Sequence, residues 1–141
     1  VLEKVLTWGI KIDVVIAVEP HIEELKKSLQ DQFPLKILSC PNENEAVDTA
    51  LYFLTASKQK AVTIISSSVL EAFEKFSSLD IAVIKDGKRW VFIRNGHFEK
   101  WLPALTPISI YPTSAHPEPI LEKDGIVTVH RDHSFWISEI N

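Results

Sequence analysis

The spacing of apolar residues in this chain changes once, near residue 79, and no other feature limits its fold as strongly. Up to that point two patterns alternate. One is the unbroken run, Val14-Val15-Ile16-Ala17-Val18 and Ala61-Val62-Thr63-Ile64-Ile65, with a shorter run over residues 35–38 between them. Such β-branched runs suit strands buried on both faces, as in parallel sheets. The other is the three-and-four spacing of a helix face. It is seen in Ile22, Leu25, Leu29 and Phe33, in Ala46, Ala50, Leu51 and Leu54, and in Val69, Leu70, Phe73 and Phe76. Pro20 suits a first helical turn, Pro34 ends that helix, and Asn44 is placed to cap the next. A short amphipathic segment opens the chain, with Leu2, Val5, Leu6 and Trp8 on its buried side and Gly9 at its stop. Strand and helix in alternation predict right-handed parallel crossovers.

Beyond residue 79 the helical spacing disappears. Runs over residues 81–84, 90–93 and 98–102 are separated by Asp86-Gly87 and Asn95-Gly96, the strongest short hairpin signals. Residues 107–111 form another strand, and Asp124-Gly125 separates residues 120–122 from 126–129. A last strand, Phe135-Trp136-Ile137, follows a turn at Asp132-His133. Pro103, Pro107, Pro112, Pro117 and Pro119 belong at strand ends or edges, where no ladder donor is needed. The expected fold is α/β: an N-terminal parallel α/β layer, Rossmann-like, over residues 1–79, then a C-terminal antiparallel β unit, sandwich-like, over residues 80–141.

Composition narrows the function classes. The 15 Lys and Arg residues are dispersed and the net charge is −4, so counterion release has little to act on and nucleic acid is not expected as a partner. No apolar run approaches the roughly 20 residues of a membrane span, so no membrane partner is expected either. The single Cys40 can form no internal disulfide, and no basic-then-apolar leader is visible, which together point to the cytoplasm. The chain starts at Val1 rather than Met, which leaves room for residues upstream. Cys40 itself suits a plain buried thiol, because the five histidines lie elsewhere along the chain.

Ligands of open parallel sheets bind beyond the carboxyl ends of the strands, which directs attention to three loops. Glu19 and His21 could form an acid/base or metal pair, or simply a solvated helix start. Ser66, Ser67 and Ser68 could bind an anion through hydroxyls and free N–H groups, or supply only an N-cap. Without glycines the triplet is neither a P-loop nor a dinucleotide fingerprint. Glu43, Glu45 and Asp48 cluster at a helix start, as metal ligands or as carboxylates favoured by the helix dipole. His130, Asp132 and His133 are metal-ligand types within a hairpin turn. Trp90, Phe92, Phe98 and Trp101 suit core and cross-strand packing. Trp90 and Phe92 share a face, however, and an aromatic cleft between the two halves would suit a flat heterocycle.

The order of elements resembles the thiamine pyrophosphokinase family, an α/β domain followed by a β-sandwich that transfers diphosphate from ATP to thiamine using magnesium. The resemblance covers most of the chain. Residues 6–16, Leu-Thr-Trp-Gly-Ile-Lys-Ile-Asp-Val-Val-Ile, look like the stretch leading into the family's Gly-Asp-Phe-Asp-Ser motif. Ala50-Leu51-Tyr52-Phe53-Leu54 with Val62-Thr63-Ile64-Ile65 looks like the helix and strand carrying its next motifs, and Ile108-Ser109-Ile110-Tyr111-Pro112 is similar to a sandwich strand. At the motifs the chain departs. Ala17-Val18-Glu19-Pro20-His21 stands where the family has its aspartates, and Glu45-Ala46 stands where it has Thr-Asp. Ser66-Ser67-Ser68-Val69-Leu70-Glu71 replaces a Gly-Gly-Arg segment, and a Ser-Asn segment near the family's thiamine site has no counterpart.

The resemblance therefore implies a noncatalytic paralogue that keeps the scaffold and binds a small molecule, a thiamine-like or nucleotide ligand. Magnesium and ATP enter only if the family activity is retained, through a metal site rearranged onto Glu19, Glu43, Glu45 or Asp48. A third alternative is a structural or dimerising protein that pairs as a homodimer through Trp101, Phe135 or Trp136.

Overall fold

The computed structural model describes residues 2–114 and 118–139. His116 and Pro117 lie outside them. The chain is mixed α/β: α1 (Leu2–Leu6), β1 (Val14–Val18), α2 (Ile22–Ser28), β2 (Lys36–Cys40), α3 (Ala46–Ala56) and β3 (Ala61–Ile65) come first. Then follow β4 (Asp80–Lys85), β5 (Lys88–Ile93), β6 (His97–Leu102), β7 (Ile108–Tyr111), β8 (Gly125–His130) and β9 (Phe135–Glu139). Contacts gather into two units, one up to Lys58 and one from Gln59 onward. The expected boundary at 79 and 80 thus gives way to one at 58 and 59, because β3 pairs with β4 and joins the second unit.

In the first unit β1 and β2 run parallel, from Val14 opposite Lys36 to Val18 opposite Cys40. Leu29 and Leu51 are fully buried here. The helix expected over residues 21–33 is shorter. α2 stops at Ser28, a 3-10 turn, Gln30–Gln32, follows, and Pro34 holds Phe33 in extended backbone beyond it. Phe33 and Trp8, both placed inward from their spacing, are about half exposed, at 49% each. The cap ahead of α3 is Asn42 rather than Asn44. Its Oδ1 accepts from the Glu45 N–H at 3.2 Å while its Nδ2 donates to Glu45 Oε1 at 3.0 Å, a reciprocal arrangement across a 3-10 turn.

The second unit holds a five-stranded sheet, ordered β3-β4-β5-β9-β7, and a two-stranded one, β6-β8. Only β3 and β4 run parallel in it. Along the chain joining them Leu70, Phe73, Phe76 and Leu79 are all buried. Their spacing is three throughout, the period of a 3-10 helix, and the expected α-helix appears only as a 3-10 segment, Leu70–Phe73. Leu102, Ile108, Ile110, Val127, Val129, Phe135 and Ile137 form the core of the unit, drawn from both sheets. Residues 120–122 are not a strand.

Two glycine turns behave differently. Asp86 and Gly87 both take positive φ, 52° and 75°, the type I′ pattern that joins β4 to β5. Asn95-Gly96 also turns, yet β5 pairs with β9 and β6 with β8, so the expected hairpin between β5 and β6 does not form. There the chain crosses between sheets, with the Gly96 carbonyl accepting from the Arg131 N–H at 2.8 Å. A Cβ at Gly96 would lie 2.2 Å from the Arg131 carbonyl oxygen, whereas one at Gly87 would meet nothing.

Gly87→Ala is therefore expected to cost about 1 kcal/mol through positive φ alone. Gly96→Ala should cost roughly 3 kcal/mol, since displaced backbone adds to the same φ term. Urea unfolding of the two variants beside the parent measures the difference, and equal losses would refute the close approach at Gly96.

Candidate functional site

The carboxyl ends of β1 and β2 open onto a cavity of about 660 Å³ lined by His21, Glu24, Cys40 and Glu43, with Leu6 and Leu25. Proline at the start of the 3-10 turn Glu19–His21 sends the chain sharply away from β1. Glu19 lines an adjoining depression with Pro20, Ser39 and Pro41, which shares Val18 and Cys40 with the cavity that His21 lines. Glu45 is occupied by Asn42, and Asp48 lines neither hollow. No three of Glu19, Glu43, Glu45 and Asp48 are grouped to hold a metal ion. Among the described residues no group of three His, Cys, Asp or Glu is placed to hold a metal ion, and this covers His130, Asp132 and His133 as well. Cys40 is buried, as expected. Folding brings His21 to the cavity that Cys40 lines, and among the described residues no hydrogen bond joins the two.

A second cavity, of about 340 Å³, lies wholly within the second unit. Trp90 and Lys88 of β5, Lys85 of β4, Tyr111 of β7 and Glu71 of the 3-10 segment face it, with Leu70 at its side. The serine triplet reaches this neighbourhood through Lys85, whose Nζ donates to the Ser67 carbonyl at 2.8 Å and the Ser68 carbonyl at 3.1 Å. Ser66 Oγ accepts from the Ser68 N–H at 3.0 Å, closing a local turn. The triplet is thus not the helix-start anion site considered from the sequence, because a four-residue 3-10 segment follows it rather than an α-helix. Of the predicted residues, Trp90 lines this hollow, Ser67 and Ser68 lie one hydrogen bond away through Lys85, and Glu19, His21 and Glu43 belong to the other unit.

Sequence reasoning missed Lys85, Lys88, Glu71 and Tyr111. The signal for the first two was present, since a two-residue turn at Asp86-Gly87 sets Lys85 directly opposite Lys88. Like charges in that position are unfavourable. Lys88 Nζ lies 5.8 Å from the centre of the Trp90 ring and donates to Ser109 Oγ at 3.1 Å. The Tyr111 hydroxyl donates to Glu71 Oε1. That bond, then the backbone of Glu71, and least the charge of Lys85, hold the Glu71 carboxyl below its ordinary value of 4.5 against a small opposing effect of burial. The same bond, followed by burial and the charges of Glu71 and Glu74, raises the Tyr111 phenol above 10.0.

No protein-family model matches this chain, and no curated protein matches it in sequence. Among solved structures it is similar to a probable thiamine pyrophosphokinase from Staphylococcus saprophyticus, with a TM-score of 0.54 and 12% identity over 94% of this chain and 99% of that one. It is also similar to thiamine pyrophosphokinase from Bacillus subtilis, with a TM-score of 0.53 and 12% identity over 88% of this chain and 74% of that one. What is shared at this identity is the fold, and the mixed α/β scaffold expected from the order of elements is present.

The Tyr111–Glu71 bond has a defined pH window. Glu71 has a depressed folded pKa, so its stabilisation is complete above 4.5 and is lost as pH falls through the lower folded value. Tyr111 has a raised one, so its stabilisation is complete below 10.0 and is lost as pH rises through the higher folded value. Tyr111→Phe should therefore lower the urea midpoint most at neutral pH, with the gap to the parent narrowing at both acid and alkaline extremes. A gap that is constant across pH would mean the bond contributes nothing.

Proposed function

We propose that this chain is a noncatalytic protein on the thiamine pyrophosphokinase scaffold that holds a thiamine-like or nucleotide ligand. The observation that carries the reading is the dispersal of its carboxylates. Diphosphoryl transfer relies on metal ions that neutralise charge spread over phosphate oxygens, and carboxylates are the usual means of holding magnesium. Glu19 and Glu43 line different hollows, and Glu45 is occupied as half of a helix cap. A pyrophosphokinase with a rearranged metal site would need these groups in one cleft. The Rossmann-like parallel layer expected from the sequence serves in this reading only as scaffold, with β1 and β2 as a parallel pair.

The protein works in the cytoplasm in this reading, and it pairs with a second copy. Pairing through Phe135 or Trp136 does not survive the structure, since both side chains are fully buried. Trp101 remains available at 58% exposure, directly across the β6–β8 ladder from Ile126 at 60%. Two large apolar side chains adjacent on one exposed face support an interface there.

Incubation at high protein concentration with thiamine and magnesium ATP, beside the active Bacillus subtilis enzyme, should yield no thiamine diphosphate or AMP above the blank. Metal-dependent appearance of both products would overturn the noncatalytic reading. Sedimentation should show a dimer that Trp101→Glu converts to monomer without loss of folded signal, and a parent that sediments as a monomer would exclude the pairing.

A further inference from the structure

The two-stranded β6–β8 sheet turns one face toward the core and leaves the other exposed. Side chains alternate across a strand, so His97, Glu99 and Trp101 of β6 share the exposed face with Ile126, Thr128 and His130 of β8. Trp101 and Ile126 occupy one end of it, and at the other end His97 stands directly across from His130. From that end we infer that His97 and His130 together chelate one divalent ion of a late first-row transition metal, copper above all. The site belongs to this ladder alone and does not depend on whether the chain holds a small organic ligand elsewhere.

The hydrogen-bond pattern brings the two imidazoles as near as a sheet permits. Pairs along an antiparallel ladder alternate between hydrogen-bonded and non-hydrogen-bonded, and side chains are closer in the second kind. The Arg131 N–H donates to the Gly96 carbonyl at 2.8 Å, which makes that pair hydrogen-bonded. The next pair, His97 with His130, is therefore of the closer kind. Their ring centres lie 6.0 Å apart. With metal–nitrogen bonds of about 2.0–2.1 Å and each ring nitrogen roughly 1 Å from its ring centre, two imidazoles on one ion stand about 4.5–6.5 Å apart. One ion between the rings can thus bond a nitrogen of each through side-chain rotation alone.

Both rings are available for this. The hydrogen bonds of the two residues are made by their backbone: the His97 N–H donates to Asn95 Oδ1 at 3.0 Å, and the His130 carbonyl accepts from Arg131 at 2.9 Å. The neighbouring His133 is engaged instead, with Nδ1 2.8 Å from the Ser134 carbonyl. Glu99 Oε2 lies 3.9 Å from His97 Nε2, so a carboxylate adjoins the pair. It offsets the charge of a bound cation and can accept from a water on it. Two protein ligands leave the other positions to water, consistent with no three-residue metal cluster among the described residues. Neutral imidazole selects transition ions, with affinity rising from manganese through nickel to copper and falling at zinc. Magnesium, which takes oxygen ligands, does not match the donors.

Calorimetric titration of the parent chain with copper, nickel, zinc and magnesium chlorides at neutral pH tests the assignment. One copper per chain is expected, bound more tightly than nickel or zinc, with no saturable magnesium binding. His97→Gln and His130→Gln should each weaken copper by about tenfold or more, since losing a ligand costs at least as much as losing its supporting partner. Both variants should keep the cooperative melting of the parent, because the two side chains are exposed. His133→Gln should bind copper as the parent does. The inference is overturned if the parent binds no transition ion, if either His97→Gln or His130→Gln binds copper as tightly as the parent, or if magnesium binds as well as copper. The turnover assay decides the noncatalytic reading separately, and neither result alters the other.

Discussion

Strand β9 is buried on both faces, and the second unit is organised around it. It lies between β5 and β7, bonded to both, and Phe135, Trp136, Ile137 and Ser138 are at most 3% exposed. Because side chains alternate across a strand, Phe135 and Ile137 enter the core shared with β6 and β8, while Trp136 and Ser138 belong to the opposite face. Trp136 is tied there in two ways. Its ring lies 4.8 Å from that of Phe92, and its Nε1 donates to Glu74 Oε1 at 2.9 Å. A large aromatic can be buried in this way only if its polar edge finds an acceptor. Glu74 provides it from the chain that follows the 3-10 segment, so the burial of Trp136 and the position of that segment depend on each other.

The same arrangement builds the cavity of the second unit. Glu74 on Trp136 and Glu71 on Tyr111 attach the 3-10 segment to neighbouring strands of one sheet, and Arg94 donates to the Phe76 and Leu79 carbonyls further along. These contacts hold Leu70 and Glu71 beside Lys85, Lys88 and Trp90. Ser138, flanked in register by Trp90 and Ser109, carries a buried hydroxyl without a hydrogen-bond partner among the described residues. A buried polar atom left unpaired costs about 1–3 kcal/mol. The unfavourable features of the unit, this hydroxyl and the opposed lysines, thus fall in adjoining positions of the sheet.

What was legible in the sequence was local. Asp86-Gly87 specifies its own turn by the positive φ it permits, and every residue needed to predict it lies within the hairpin. Asn95-Gly96 specifies a turn equally well, but the strand that pairs with β5 is β9, which local chemistry cannot name. The stretch after β3 was ambiguous for a different reason. Leu70, Phe73 and Phe76 fit a period of 3 and a period of 3.6 almost equally over so short a span, and only the burial of Leu79 separates them. Site residues suffered most, because Glu71 and Tyr111 meet through folding and no spacing records it. Lys85 and Lys88 were the exception, since drawing the predicted hairpin already sets them opposite each other.

The two kinds of residue also explain how a fold can be shared at 12% identity. A core position asks for apolar volume, which many residues supply, so Phe135, Ile137 and Val129 could differ from their counterparts without altering the layers they join. A metal site instead needs particular charges within a few ångströms of one another, and a single displaced carboxylate disperses it. At the carboxyl end of β1, Pro20 lies in a 3-10 turn that carries both Glu19 and His21. At the β4–β5 hairpin, Lys85 and Lys88 stand opposite each other with Asp86 in the turn between them. Burial tolerates substitution and charge placement does not, so a shared fold does not by itself carry a function.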